Sequence, residues 1–274
     1  NDNVTNYRYD SAGRLHEYYV NSASEDEKQS SLFYTYDAEG RVIQRQYRQD
    51  YTYSGGSAEI GFYNSYTYND SDGSLASSSA LFGNYQLGVN YTYDNLGRLT
   101  QKSQALHHEH SSNPSGVVTQ QYEYTTRDNG TQLSLQISEM TSIVTGQSNK
   151  VYTYEYDGNG NITKISLGGV VQYAYQYDKL GQLVRVDDSV TGHTYMYYYN
   201  SLGNMQYKYT YPLGTTSGTP IDTKYYNYGD SSWGDLLTHY NNVAMTYDTI
   251  GNPLTYHNGF TFTGKQGRRL ETAV

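Results

Sequence analysis

One phrase returns along the whole chain and decides what it can fold into: alternating tyrosines, then an aspartate or asparagine, then a glycine three places later. It reads Tyr91-Thr-Tyr93-Asp94-Asn-Leu-Gly97-Arg98-Leu99 in mid-chain, Tyr7-Arg-Tyr9-Asp10-Ser-Ala-Gly13-Arg14-Leu15 near the start and Met245-Thr-Tyr247-Asp248-Thr-Ile-Gly251-Asn252 near the end. Aspartate at the first place of a turn and glycine at the fourth is the type I preference, because the carboxylate accepts from backbone N–H groups just ahead of it. A type I turn closed by a left-handed residue makes the three-residue hairpin with a bulge at glycine. The spacing therefore predicts hairpin tips. Asp10, Asp37, Asp94, Asp157, Asp178 and Asp248 are the turn acceptors, and Gly13, Gly40, Gly97, Gly160, Gly181, Gly203 and Gly251 are the left-handed residues. Looser copies surround Gly73, Gly130 and Gly267, and the distance between copies varies from about 16 to 48 residues.

Upstream of the tips the tyrosines fall at every second place, as in Tyr152, Tyr154, Tyr156 and in Tyr173, Tyr175, Tyr177. Period two puts tyrosine on one face of a strand and mostly polar residues on the other. A second set of turns, such as "FGN", "LGG" and "DDSVTG", alternates with the fixed ones and has no fixed length. The expected fold is all-β: a long antiparallel meander of hairpins. Ten tips imply on the order of twenty strands, and at ~4.8 Å per strand the strip is ~90 Å wide. Open twisted sheets rarely exceed ~10 strands, so the strip is expected to curl into a spiralling shell or partial barrel. The signature runs from end to end without a compositional seam, which predicts one continuous unit over residues 1–274.

Composition narrows the partners. Thirty-six tyrosines stand against 5 Phe and 1 Trp, so burial comes from rings whose hydroxyls need partners. Lys and Arg number 18 against 27 Asp and Glu, and a net charge of -9 opposes nucleic-acid binding. The absence of cysteine removes disulfides, thiol nucleophiles and Cys-based metal sites. No apolar run approaches the ~20 residues of a membrane span. The chain opens almost at once on a repeat and stops just after one, so it is expected to be a piece of a longer array, with unpaired end strands available for edge-to-edge self-association.

Side-chain chemistry is sparse. The "HHEH" stretch places His108 and His110 on one strand face and His107 with Glu109 on the other, so His108 and His110 are weak metal candidates and zinc would lack ligands. "GFTFTGKQ" falls one residue short of a phosphate loop and has Gln266 in the magnesium-ligand place. "NDSDG" at residues 69–73 lacks the calcium loop's first and last ligands. No catalytic motif, cofactor or metal is expected. A tyrosine platform can stack on sugar rings, which makes Tyr154, Tyr156, Tyr175, Tyr177 and Trp233 candidates for a carbohydrate surface.

The phrase Y-x-Y-D-x-x-G-R-L, repeated with hairpins of unequal length between copies, closely resembles the YD-repeat or Rhs family. That family includes bacterial polymorphic toxins, the C components of insecticidal toxin complexes and the teneurin shell. The late segment "YGDSSWGDLLTHYNN" to "GKQGRRL" resembles the version in wall-associated proteins of Gram-positive bacteria. The resemblance implies a tyrosine-rich β-sheet shell in a secreted or cell-surface bacterial protein, a hollow cocoon that encloses or presents a C-terminal toxin. The rest of the parent shell and an enclosed toxin domain would be its partners. The Asp-Pro-x-Gly stretch of the family's self-cleaving core is absent, so autoproteolysis is not carried over. The competing reading is a surface adhesin that binds glycan through its tyrosines.

Overall fold

A computed structural model describes residues 4–21, 28–53, 56–108, 114, 116–127, 132–265 and 269–274. Its regular elements among the described residues are all β-strands. The chain divides into two compact units, Asn1–Val151 and Tyr152–Val274, and the repeat phrase runs on through both.

In the first unit ten strands follow one another: β1 (Val4–Tyr9), β2 (Leu15–Asn21), β3 (Lys28–Tyr36), β4 (Val42–Tyr53), β5 (Gly56–Tyr68), β6 (Leu75–Phe82), β7 (Tyr85–Tyr93), β8 (Leu99–His108), β9 (Gly116–Arg127) and β10 (Gln132–Val144). Each pairs antiparallel with the next, a simple meander. The second unit repeats the pattern with β11 (Lys150–Tyr156), which begins at the boundary, β12 (Ile162–Leu167), β13 (Val170–Tyr177), β14 (Leu183–Asp188), β15 (His193–Tyr199), β16 (Met205–Pro212), β17 (Asp222–Asn227), β18 (His239–Tyr240) and β19 (Val243–Ala244). A last hairpin joins β20 (Phe262–Lys265) to β21 (Arg269–Ala273).

The tight tips have the geometry their spacing demands. At residues 94–98 the Gly97 N–H donates to the Asp94 carbonyl at 3.0 Å, the Asp94 N–H donates to the Arg98 carbonyl at 2.9 Å, and Gly97 sits at φ 75°. The extra residue slips the ladder just before the tyrosine that precedes the turn, between Arg8 and Tyr9, Thr92 and Tyr93, Gln176 and Tyr177, and Tyr198 and Tyr199. A one-residue bulge recurring at the same place in these copies twists their hairpins by the same device. The tips around Gly130 and Gly267 lie outside the described residues. The opposite margin is irregular, from the two-residue turn at Gly168-Gly169 to the longer loop at residues 213–221.

The described residues form no dry core. Among the described residues Val186 and Tyr211 are the buried apolar side chains, while Glu17, Ser31, Ser166, Asp188 and Thr194 are buried polar ones. Thr194 is completely enclosed; its hydroxyl donates to Asp187 Oδ1 at 2.5 Å and accepts from the Gly214 N–H at 2.8 Å. Such a node stabilises only because its polar groups are matched. Most other cohesion is pairwise: Tyr47 stacks on Phe62 at 5.0 Å and Tyr7 on Tyr18 at 5.8 Å, each cross-strand pair contributing ~0.2–1 kcal/mol.

Candidate functional site

The tip margin carries the most organised chemistry in the chain. Asp94 Oδ1 accepts from the N–H groups of Leu96 (2.9 Å) and Arg98 (3.0 Å), and Oδ2 accepts from Arg98 Nε at 2.7 Å. Asp10 repeats this with Ala12 and Arg14, and Asp37 binds the backbone and guanidinium of Arg41. At Asp157 and Asp248 the side chains of Asn161 and Asn252 replace the guanidinium. Asp178 accepts from the N–H groups of Leu180 and Gln182. The tip ending in Gly203 uses Asn200 in the aspartate's place.

These contacts hold the carboxyls of Asp10, Asp37, Asp94, Asp157 and Asp248 below their ordinary range. The Arg14 N–H is the chief cause at Asp10, the Asn161 amide at Asp157 and the Asn252 N–H at Asp248. At Asp37 and Asp94 desolvation is the largest single influence and pushes upward. The combined hydrogen bonds of Arg41 and Arg98 overcome it.

Six of these hairpins are also latched to the tip before them. The tyrosine directly ahead of the turn donates its hydroxyl to the carbonyl of the residue two places past the preceding tip's glycine: Tyr36 to Leu15 (2.7 Å), Tyr68 to Val42 (2.7 Å), Tyr93 to Leu75 (3.1 Å) and Tyr124 to Leu99 (2.7 Å). In the second unit Tyr177 donates to Ile162 (2.9 Å) and Tyr199 to Leu183 (2.8 Å), and Tyr247 reaches Leu237 (2.7 Å). At three tips where the residue after the glycine is arginine, its guanidinium lies over the latching ring: Arg14 over Tyr36 at 4.5 Å, Arg41 over Tyr68 at 4.6 Å and Arg98 over Tyr124 at 4.4 Å. A cation over a ring face adds ~0.5–1 kcal/mol at partly exposed sites. One arginine thus closes its own turn and clamps the next hairpin.

Sequence reasoning placed the tips but missed the latch. The signal was present, because tyrosine stands before the Asp or Asn of every tight tip, while three places before it Met245 replaces tyrosine at the last one. Of the carbohydrate candidates, Tyr177 is a latch, Tyr175 lies alongside Tyr173 at 6.3 Å, and Tyr154 and Tyr156 are half-buried in β11. Trp233 lies across the Gly251 tip with 44% of its surface exposed. His108 meets the Tyr85 ring edge-on at 5.0 Å, and His110 lies outside the described residues. Among the described residues no three His, Asp or Glu side chains converge as a metal site would need.

The second unit also holds a polar cleft of about 360 Å³, walled by Tyr207, Tyr225 and Tyr228 and by the amides of Asn200, Gln206 and Asn227. Tyr225 is fixed from behind: its N–H donates to Asn241 Oδ1 at 2.8 Å and its carbonyl accepts from the Asn241 N–H at 2.9 Å. Asn241 and Asn242 form the two-residue turn between β18 and β19 at φ 47° and 64°, a mirror-image turn that asparagine tolerates.

No family model and no curated protein matches the chain. Among solved structures it is similar to a chain of the Photorhabdus luminescens Tc holotoxin pore, with 14% identity and a TM-score of 0.56, over 99% of this chain and 17% of that one. A porin-like protein from Bacteroides vulgatus also aligns, with 13% identity and a TM-score of 0.30, over 67% of this chain and 92% of that one. At these identities the first likeness shows the fold: an antiparallel β meander of the kind found in the toxin-complex chain. This chain spans about a sixth of that chain's length.

Proposed function

We infer that this chain is a length of wall in a YD-repeat shell, part of a secreted or surface-exposed bacterial protein whose sheet encloses or presents a toxin domain. The observation that carries this reading is the serial latch. In six successive pairs a hairpin donates a half-buried tyrosine hydroxyl to the one before it, so the sheet grows by adding like units and needs no dry centre. A single-layer wall is what such a rule builds. The fold likeness to the Tc holotoxin chain over nearly all of this chain supports the same reading, as does the motif's resemblance to the YD-repeat family. Among the described residues β1 pairs with β2 alone, so in the shell its outer edge would be taken by further sheet or by another copy. No helix among the described residues is long and apolar enough to cross a membrane. The role is mechanical and non-enzymatic.

Electron microscopy of the native gene product, purified from its source, tests the reading. A hollow particle with a closed β wall and density inside is expected. A solid particle or an open filament without a lumen would overturn it.

A further inference from the structure

We propose that the cleft beside the 200–204 tip in the second unit binds a neutral hexopyranose, with the sugar's C–H face on Tyr225 and its hydroxyls on the surrounding amides. The charge pattern comes first. No Asp, Glu, Lys or Arg side chain lines the cleft, in a chain whose net charge is -9. Apart from the His239 imidazole the wall holds no basic or carboxylate side chain to pair with a charged ligand, while a neutral polyol finds donors and acceptors of both kinds.

The platform comes second. Tyr225 is 45% exposed, stands edge-on to Tyr207 at 5.6 Å with the rings 82° apart, and continues a row on that face through Tyr198, itself 42% exposed. An exposed, propped ring beside polar groups is the arrangement in which aromatic side chains recognise ligands that are apolar on one face and polar at the rim. The Asn241 clamp on the Tyr225 backbone holds it there before any ligand arrives.

Asn200 supplies the third observation. At the tips of Asp10, Asp37, Asp94, Asp157 and Asp248 the second carboxylate oxygen is satisfied from within, by Arg Nε at 2.6–2.7 Å or Asn Nδ2 at 2.7–3.0 Å, while at Asp178 the turn bonds go to Oδ1. At Asn200, Oδ1 is fixed as the acceptor by the N–H groups of Leu202 and Asn204, which makes the other atom Nδ2, a donor. Asn204 has turned its own amide to the Gly234 carbonyl at 3.0 Å. Asn200 Nδ2 is left without an acceptor among the described residues, at the wall of the cleft. Asn in the place of Asp at this tight tip thus puts a donor, where the carboxylate would put a second acceptor, at the cleft wall.

The proposal is independent of the wall reading. It is tested by saturation-transfer NMR and titration calorimetry on the intact chain, with the methyl glycosides of glucose, galactose, mannose and N-acetylglucosamine, and methyl glucuronide as the charged control. Binding of at least one neutral glycoside is expected, with a dissociation constant on the order of 1 mM, and none of the glucuronide. Tyr225→Ala should weaken it roughly tenfold or more and Tyr225→Phe should not. Asn200→Asp, which restores the side chain used at Asp178 and Asp248, should also weaken it roughly tenfold while leaving the urea midpoint unchanged. Absence of binding by every neutral glycoside, or binding that survives both Tyr225→Ala and Asn200→Asp, would overturn the site and leave the shell reading untouched. Loss of the lumen in micrographs would do the reverse.

Discussion

Gly251→Ala is expected to destabilise the second unit by roughly 2–5 kcal/mol, the sum of a left-handed backbone penalty of ~1–2 kcal/mol and an overpacking cost of ~1–3 kcal/mol. Two separate demands meet at this position. Gly251 closes the last tight tip at φ 84°, and a Cβ there would lie 2.4 Å from the nearest ring atom of Trp233. Gly181 in the same unit isolates the first demand: its φ is 80° and nothing lies within 4 Å of an added Cβ, so Gly181→Ala should cost only the ~1–2 kcal/mol of backbone strain. Urea unfolding of the two variants gives the comparison. Trp233 is the only tryptophan in the chain, and its emission should shift to the red in Gly251→Ala while staying at the wild-type wavelength in Gly181→Ala.

Removing two latches together should have a comparable effect. Tyr177→Phe and Tyr199→Phe keep the rings and delete only the hydroxyls that donate to the carbonyls of Ile162 and Leu183. Each loss gives up a hydrogen bond and leaves a shielded carbonyl unpaired, at about 1–2 kcal/mol apiece for half-buried groups, so the double variant should lose roughly 2–4 kcal/mol. Tyr198→Phe is the control, since Tyr198 is exposed next to Tyr199 on the opposite face of β15 and should stay within ~0.5 kcal/mol of wild type. The asymmetry matters more than the totals. If ring packing alone held the hairpins, all three substitutions would be nearly silent.

What the sequence made legible was local. The Asp-to-Gly spacing placed the tips because a type I turn with its bulge is decided within five residues, and the alternation of tyrosine gave the strands because side-chain period is a property of the strand itself. The latch was not legible in this way. Tyr36 and Leu15 are 21 residues apart and Tyr68 and Val42 are 26 apart, and they meet only because the variable margin returns each hairpin beside its predecessor. Expecting the tyrosines to act as rows of equivalent rings overlooked that one per copy works through its hydroxyl. The arginine after glycine was hidden for the same reason, since its turn partner is local but the ring it covers belongs to the next hairpin. The cleft at Asn200 was less legible still. It needs Tyr207 and Tyr225 from paired strands and the Asn241-Asn242 turn behind them, and the sequence shows only one asparagine where its neighbours have aspartate.

The account stands or falls on whether protonated tyrosine hydroxyls hold successive tips together, and an alkaline titration read simultaneously by phenolate absorbance and circular dichroism asks this most directly. Desolvation raises the folded-state pKa of Tyr93, Tyr177, Tyr199 and Tyr247, all latching residues, and that of Tyr226, which is pushed up to about 12. A raised folded pKa means the stabilisation is complete below the ordinary value of 10 and is lost as pH climbs through the shifted values. The predicted result is a late class of tyrosines, Tyr93, Tyr177, Tyr199 and Tyr247 among them, that stays protonated beyond pH 10 and ionises above it in the same step that abolishes the strand signal. Ionisation of every tyrosine near pH 10 with the strand signal intact would contradict it.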